Sequence, residues 1–557
     1  MKHHASTTSP ARIAGTALLS LALVACGTPF EPLVERPAEE VEYDGGAGEM
    51  LFEESYAASD PYYASEAKDG CVEDPWAMVD PFNTEEYAHV DERGFVTTRA
   101  NPLSTVSADV DTASFANLRR MLRDGWTLDE VPTGAVRIEE LVNYLDYDYP
   151  APSVGERFSM SAAMGECPWN PQTKLLVLGF ATAREDVASS KGSNLVFLID
   201  VSGSMDSPDK LDLLKESFEV LVDQLGPDDR VSIVTYASGE ELVCEGVPGD
   251  QGRQIMRAVR RLQADGSTNG ERGLELAYEV AERNYIEGGV NRIVMASDGD
   301  LNVGMTSESD LHDYVDAKRE TGIYLSVLGF GSGNYKDNKM ETLADHGNGS
   351  YHYIDCLDEA ERVLGERVCA NLVPFADDVK VQVEFNPAQV RGYRLLGYEN
   401  REMSDEDFRN DEVDAGEVGP SMQFTVAYEI VTSGSEMNLP EVDLRYGSET
   451  VDEAPASGEW LTTTLRYRAF DDGKVHEQQL SVDAGDLSDD PGDDWHRAAA
   501  AVELGLVLRD SDWRGDATLE DAYDQLEMDS RVDSYSHEAL AELIELAQTP
   551  AVYCPAW

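Results

Sequence analysis

Positive charge is scarce in this sequence: 43 Lys and Arg stand against 108 Asp and Glu over 557 residues, a formal net charge of −65. A surface of that sign repels phosphate backbones and anionic headgroups, so nucleic acid is excluded as a partner and a membrane can be met only through an anchor. Membrane-length apolar runs are missing too. The stretch from Ile13 to Val24 is too short to cross a bilayer as a helix, and no later segment reads as a span. No G-x-x-x-x-G-K-[ST] occurs, which excludes a nucleotide-hydrolysing P-loop. In the Gly-rich stretch "GFGSGN" at 329–334, Asn334 stands where a dinucleotide loop needs its third glycine, so a flexible turn is expected there. His346 and His352 lie six apart with no cysteine motif beside them and read as surface or strand residues, not zinc ligands. What the chain does have is length and 42% hydrophobic residues, enough for several domains.

Lys2 and Arg12 flank the start of the first apolar run, as in a secretory signal, and the run ends in Leu23-Val24-Ala25-Cys26. That tetrapeptide resembles a bacterial lipobox, which implies a signal peptide over residues 1–26 and a lipid on Cys26 as the only membrane anchor. Gly27, in place of an aspartate, favours the outer membrane within a bacterial cell envelope. Residues 27–99 are rich in Glu, Pro, Ala, Gly and Tyr without a sustained period, as in "ERPAEEVEYDGGAGEM", and are expected to form a disordered acidic tether. Six cysteines remain after Cys26, and their pairing is open. One pair is excluded: Asp358 and Glu361 open a helical pattern that runs to about Asn371, placing Cys356 and Cys369 about 20 Å apart at its ends.

Between residues 186 and 370 the apolar strands "NLVFLID", "RVSIVTY", "NRIVMAS" and "GIYLSVLGF" alternate with helical patterns, best seen in Leu211, Leu214, Phe218, Leu221 and Leu225. The alternation predicts a doubly wound, mostly parallel α/β sheet with its ligand site beyond the carboxyl ends of the strands. "LVFLIDVSGSM" at 195–205 ends one strand in Asp200, Ser202 and Ser204. "ADGSTNG" puts Thr268 before a helix, and "VMASDGD" puts Asp298 at another strand end, where it is expected at the surface. Five oxygen ligands with two formal charges suit a hard cation such as magnesium. Ser202 and Thr268 would serve equally well as helix caps.

The pieces D-V-S-G-S at 200–204, Thr268 in G-S-T-N-G and Asp298 in S-D-G resemble the metal-ion-dependent adhesion site (MIDAS) of von Willebrand factor type A (VWA) domains. The resemblance implies a bound Mg2+, with Mn2+ or Ca2+ as alternatives, and a protein partner whose Asp or Glu completes the coordination. Loops 205–210 and 301–307 would then set specificity, and the last helix, "DEAERVLGERVCANL", would move on ligation. Further stretches, "NPLSTVSADVDTASFANLRRML", "VRIEELVNYLDYDYPAP" and "CPWNPQTKLLVLG" before this domain and "VKVQVEFNPAQVRGYRLLGYENR" after it, are similar to the YfbK-like bacterial lipoproteins. A haloacid-dehalogenase-type phosphatase is disfavoured because Ser202 replaces the second aspartate of its D-x-D; Asp109 and Asp111 in the leader read as turn or helix-capping residues.

The expected organisation is therefore an N-terminal VWA-associated region at 100–185, the VWA domain at 186–370, a β-sandwich region at 371–489 and a helical region at 490–557. Strand patterns on both sides of the VWA domain, "RFSMSAAMGE", "KLLVLGFATA", "VKVQVEF", "MQFTVAYEIV", "EVDLRYG" and "LTTTLRYRAF", predict one β-sandwich into which that domain is inserted. The functional expectation is a lipid-anchored binding protein without catalysis, since no general base is evident beside the five ligands. The alternatives are a passive envelope-structural protein and a metal-dependent hydrolase.

Overall fold

Each strand at the centre of the chain is apolar along its whole length because both of its faces are covered. In the strand Ser193–Asp200, Leu195, Phe197 and Ile199 point into one core with Leu214, Phe218 and Ile255, while Val196 and Leu198 point into another with Ala277 and Tyr278. The computed structural model describes residues 84–108, 110–184, 191–268, 270–299, 308–411, 413–440 and 458–549. The signal segment with Cys26, most of the expected tether, Asp109, loop 301–307, the strand pattern at 441–447 and the end of the chain from 550 lie outside the described residues. The described residues all belong to one compact unit, Trp76–Trp557. No helix among them is long and apolar enough to cross a membrane.

The central sheet runs Tyr351–Ile354, Tyr324–Phe330, Val290–Ser297, Ser193–Asp200, Arg230–Tyr236, Glu240–Pro248. All neighbours are parallel except the last pair. The strand Ser193–Asp200 starts the order and is extended on both sides, first toward Arg230–Tyr236 and later toward Val290–Ser297. The reversal of strand order therefore lies at the ends of Ser193–Asp200 and Val290–Ser297, where such sheets hold ligands.

The inserted domain leaves the chain after the strand Lys174–Thr182 and returns it at Ala376–Phe385. Those two strands belong to opposite sheets of one sandwich. One sheet has the order Val96–Thr97, Val390–Leu396, Gln423–Thr432, Lys174–Thr182, Phe158–Glu166, and all its neighbours are antiparallel. The other is Gly416–Val418, Ala376–Phe385, Glu459–Ala469, Val475–Asp483, with Leu103–Ser107 also paired to Ala376–Phe385. Leu176, Leu178, Phe180, Val426 and Tyr428 meet Val381, Val383, Leu465 and Tyr467 in the core between them. On the outer face of the first sheet, Leu175 and Val177 pack under Asp493–Leu508, Leu519–Glu527 and Tyr535–Gln548, joined by the leader helices Ala113–Arg123 and Ile138–Asn143.

Two expectations need correction. The tether does not extend to residue 99: Val96 and Thr97 pair with Tyr393 and Gly392, and Phe95 is buried against Trp513, because this stretch supplies an edge strand and an aromatic side chain to the sandwich. Asp111 does not cap a helix. It is buried, accepts the Tyr351 N–H at 2.8 Å and pairs with Arg401 at 3.1 Å, tying the leader to the VWA domain through Tyr351 and to the sandwich region through Arg401.

The last helix of the inserted domain runs as Leu357–Ala360, a wider π-type turn over Glu361–Glu366, and Val368–Leu372. Cys356 precedes its first turn and Cys369 lies in its last segment, both unbonded, and Cys167 and Cys244 are likewise free thiols.

Candidate metal centre

Asp200 ends its strand with no exposed surface. One carboxylate oxygen accepts the Ser202 N–H at 2.8 Å and the other accepts the Ser297 hydroxyl at 3.1 Å. Ser202 and Ser204 bring their hydroxyl oxygens to 2.9 Å from each other. Ser202 makes no side-chain cap to the short turn Gly203–Met205, so its hydroxyl is not used as a cap. The loop of Thr268 is stitched to the Asp200 loop through backbone: Gly203 N–H donates to Gly266 O at 3.0 Å and Asp265 N–H to Val201 O at 2.8 Å. Thr268 itself is half-buried, just before the helix Gly270–Arg283.

Asp298 follows the strand Val290–Ser297 and, contrary to the expectation of a surface position, is fully buried. The turn after it needs glycine: Gly299 has φ +86°, and a Cβ there would stand 2.5 Å from the Lys336 nitrogen. Burial first, and then the nearby Asp298 carboxylate, push Asp200 up to about 6 against the hydrogen bonds from Ser202 and Ser297. Two buried carboxylates at one strand reversal call for a cation. Lys210 supplies part of it, with its ammonium 3.0 Å from Asp298 Oδ2 and 2.8 Å from Asn334 Oδ1. Asn334 donates to the same Asp298 oxygen at 3.1 Å. Among the described residues no group of three or more His, Cys, Asp or Glu side chains is placed to hold a metal. A cation here therefore depends on the hydroxyl oxygens beside the two carboxylates, which fits a hard ion that retains water and not a soft one.

Of the five residues singled out in the sequence, the structure joins Asp200, Ser202 and Ser204 by direct hydrogen bonds within their loop and brings Asp298 beside Asp200; Thr268 reaches the same rim on a bonded loop. Three more residues serve the site. Ser297 lies within the S-D-G motif itself, whereas Lys210 and Asn334 carry no local signal. Asn334 falls in the Gly-rich turn expected to be flexible. That turn is instead held by residues 84–86: Thr84 N–H donates to Gly333 O at 2.7 Å, Glu86 N–H to Tyr335 O at 2.9 Å, and Gly333 N–H to the Glu85 carboxylate at 2.8 Å. Gly331, at φ +75°, leaves the space through which the Lys210 side chain passes.

A doubly wound sheet with D-x-S-x-S, threonine and aspartate at its strand reversal defines a protein built around a VWA domain, a module that commonly mediates protein–protein interaction. Family models agree: residues 195–300 match the von Willebrand factor type A domain, 81–177 match a model described as von Willebrand factor, and 370–550 match the YfbK C-terminal region. The chain belongs to the YfbK family. It is 37% identical over 474 residues to the protein YfbK of Escherichia coli (strain K12), covering 83% of this chain and 81% of that protein. A second relative, sll0103 of Synechocystis, is 30% identical over 167 residues, 30% of this chain and 39% of that one. Among solved structures, a von Willebrand factor type A protein from Catenulispora acidiphila aligns over 72% of this chain and 97% of its own, at 17% identity and a TM-score of 0.40.

Proposed function

We propose that this chain is an envelope protein that captures a protein partner through a magnesium ion held by Asp200, Ser202, Ser204, Thr268 and Asp298. The observation that carries the reading is the convergence of two buried carboxylates and paired serine hydroxyls at the point where strand order reverses. Magnesium, when bound, supplies a coordination position that an Asp or Glu of the partner takes in exchange for water. The residues of this chain orient the ligands: Ser202 N–H and Ser297 fix the Asp200 carboxylate, and Lys210 with Asn334 fixes that of Asp298. On this reading the chain binds without turnover, and the lipobox at Cys26 attaches it to the outer membrane.

The test is partner capture from native envelope extracts with the full chain. Because Asp298 is buried against Lys210, Asp298→Asn is the gentler variant beside Asp298→Ala. Both should lose the partner, chelation should mimic them, and added magnesium should rescue only the chelated wild type. Capture that survives in EDTA and in both variants would refute the metal-dependent reading. A magnesium effect on melting temperature without any effect on capture would favour the passive structural role.

A further inference from the structure

The helix Gly252–Val259 and the turn after it carry Arg253, Arg257, Arg260 and Arg261, all exposed, in a chain whose formal net charge is −65. Arg253, Arg257 and Arg261 are spaced by four, which sets them in one stripe along the helix. Many arginines elsewhere in the fold are paired with acids, as Arg119 is with Asp355 and Arg497 with Asp529. Arg260 pairs with Glu219 at 2.5 Å, but among the described residues Arg253, Arg257 and Arg261 have no carboxylate within ion-pair distance. Beside the stripe lies an open groove of about 820 Å³ between this helix and Leu213–Val222. Val222, Leu225 and Met256 give it an apolar floor, and Asp223 and Asp250 stand on its wall.

We infer that this groove docks an acidic, apolar-studded segment of a partner protein, with carboxylates on the arginine stripe and an aliphatic or aromatic side chain on the Val222–Leu225–Met256 floor. Charge selects the occupant. The net negative charge of the chain repels an acidic segment, and the stripe supplies the attraction beside this groove. The floor separates a peptide from a bare phosphate or headgroup, which has nothing to place there. The site is distinct from the proposed metal centre and needs no cation.

The probes are a fluorescein-labelled peptide of sequence Gly-Glu-Leu-Glu-Glu-Phe-Glu-Gly and its all-Gln counterpart, titrated with the full chain in EDTA so that the metal centre takes no part. Saturable binding of the acidic peptide is expected, weakening as salt rises from 20 to 300 mM, because exposed charge pairs are screened. The triple variant Arg253→Glu, Arg257→Glu, Arg261→Glu should weaken it by about tenfold or more, since each exposed pair contributes a factor of a few. Leu225→Ser, at the half-buried residue of the floor, should weaken it with no change in salt dependence. An unchanged melting temperature of the triple variant will show that its exposed substitutions leave the fold intact. Equal binding of the Gln peptide, equal binding by the triple variant, or preferential binding of inorganic triphosphate or phosphatidylglycerol vesicles would each overturn the proposal.

Discussion

Lys210 does for Asp298 part of what a bound cation would do: its ammonium, 8% exposed, lies 3.0 Å from the carboxylate and lowers the cost of burying it. That makes the lysine a competitor as well as a support. Removing it in Lys210→Met takes away the ammonium beside Asp298, so the metal-free protein should lose stability and the ion should bind more tightly, by about tenfold if one ion-pair interaction of ~1.4 kcal/mol is released. Calorimetric magnesium titration beside melting curves with and without EDTA reads both effects. Weaker binding in the variant would show that Lys210 builds the site and does not compete for it.

A second residue with an unusual environment is Glu503, a carboxylate with no exposed surface in the helix Asp493–Leu508. Burial, and then the charge of Asp521, push it up to about 8. Its ordinary value is near 4.3, so the folded protein holds the proton more tightly than the unfolded chain does. The stability this contributes is whole below about pH 4.3 and is lost as pH rises toward 8, at up to about 1.4 kcal/mol per pH unit. Glu503→Gln should flatten that slope. Urea midpoints at pH 5 and pH 8 in both proteins check it, and parallel pH profiles would contradict the assignment.

At the scale of elements, the last helix of the VWA domain is held from outside that domain. Glu359 accepts from Arg119 at 2.8 Å and from Tyr144 at 2.7 Å, Asp355 pairs with Arg119 at 2.5 Å, and Arg362 donates to the Tyr144 carbonyl at 2.5 Å. Burial works against ionisation of Glu359, yet Arg362 and Arg119 hold it below the usual carboxylate range. Arg119→Met removes the guanidinium shared by two buried carboxylates, leaving Asp355 to Arg123 at 3.5 Å and Glu359 to Arg362 at 3.1 Å, and should cost about 3 kcal/mol, whereas adding Asp355→Asn and Glu359→Gln should recover much of it. Thermal unfolding of the single and triple variants tests this; additive losses would mean that Arg119 acts by packing alone.

The strands and the Asp200 loop were legible because they combine two local signals, continuous apolar runs and ligand residues at strand ends. Residues 84–86 were not. Thr-Glu-Glu has the composition of the acidic stretch before it, and its partners, the backbone of the 331–335 turn with Arg120 and Lys336, are far away in sequence. Lys210 and Asp111 escaped for a related reason: their partners, Asp298 and Arg401, are far away in sequence, and a charged residue with a distant partner looks like a solvated one.

For the whole described unit, insertion sets the energetics. The sandwich and helical layer have their own cores, so excising residues 186–370 and closing the gap with a short linker should leave a folded, β-rich remainder. The cut has a cost that sequence alone did not reveal. Arg137, buried in the leader, pairs with Asp337 and Glu341 of the inserted domain, and Arg119 pairs with Asp355 and Glu359. The excised protein should therefore melt below the parent, and Arg119→Met and Arg137→Met, combined with Glu140→Gln because Arg137 also pairs with the buried Glu140 of the leader, should raise its stability. A remainder that is unfolded by circular dichroism even with these substitutions would count against an independent sandwich.

The central claim is that Asp200, Ser202, Ser204, Thr268 and Asp298 form one magnesium site. It is tested most directly by calorimetric titration of magnesium into the full chain and into its Asp200→Ala, Asp298→Ala double variant. The account predicts one saturable site in the wild type and none in the variant, with both proteins folded by circular dichroism. Undiminished magnesium binding by the folded double variant would contradict it.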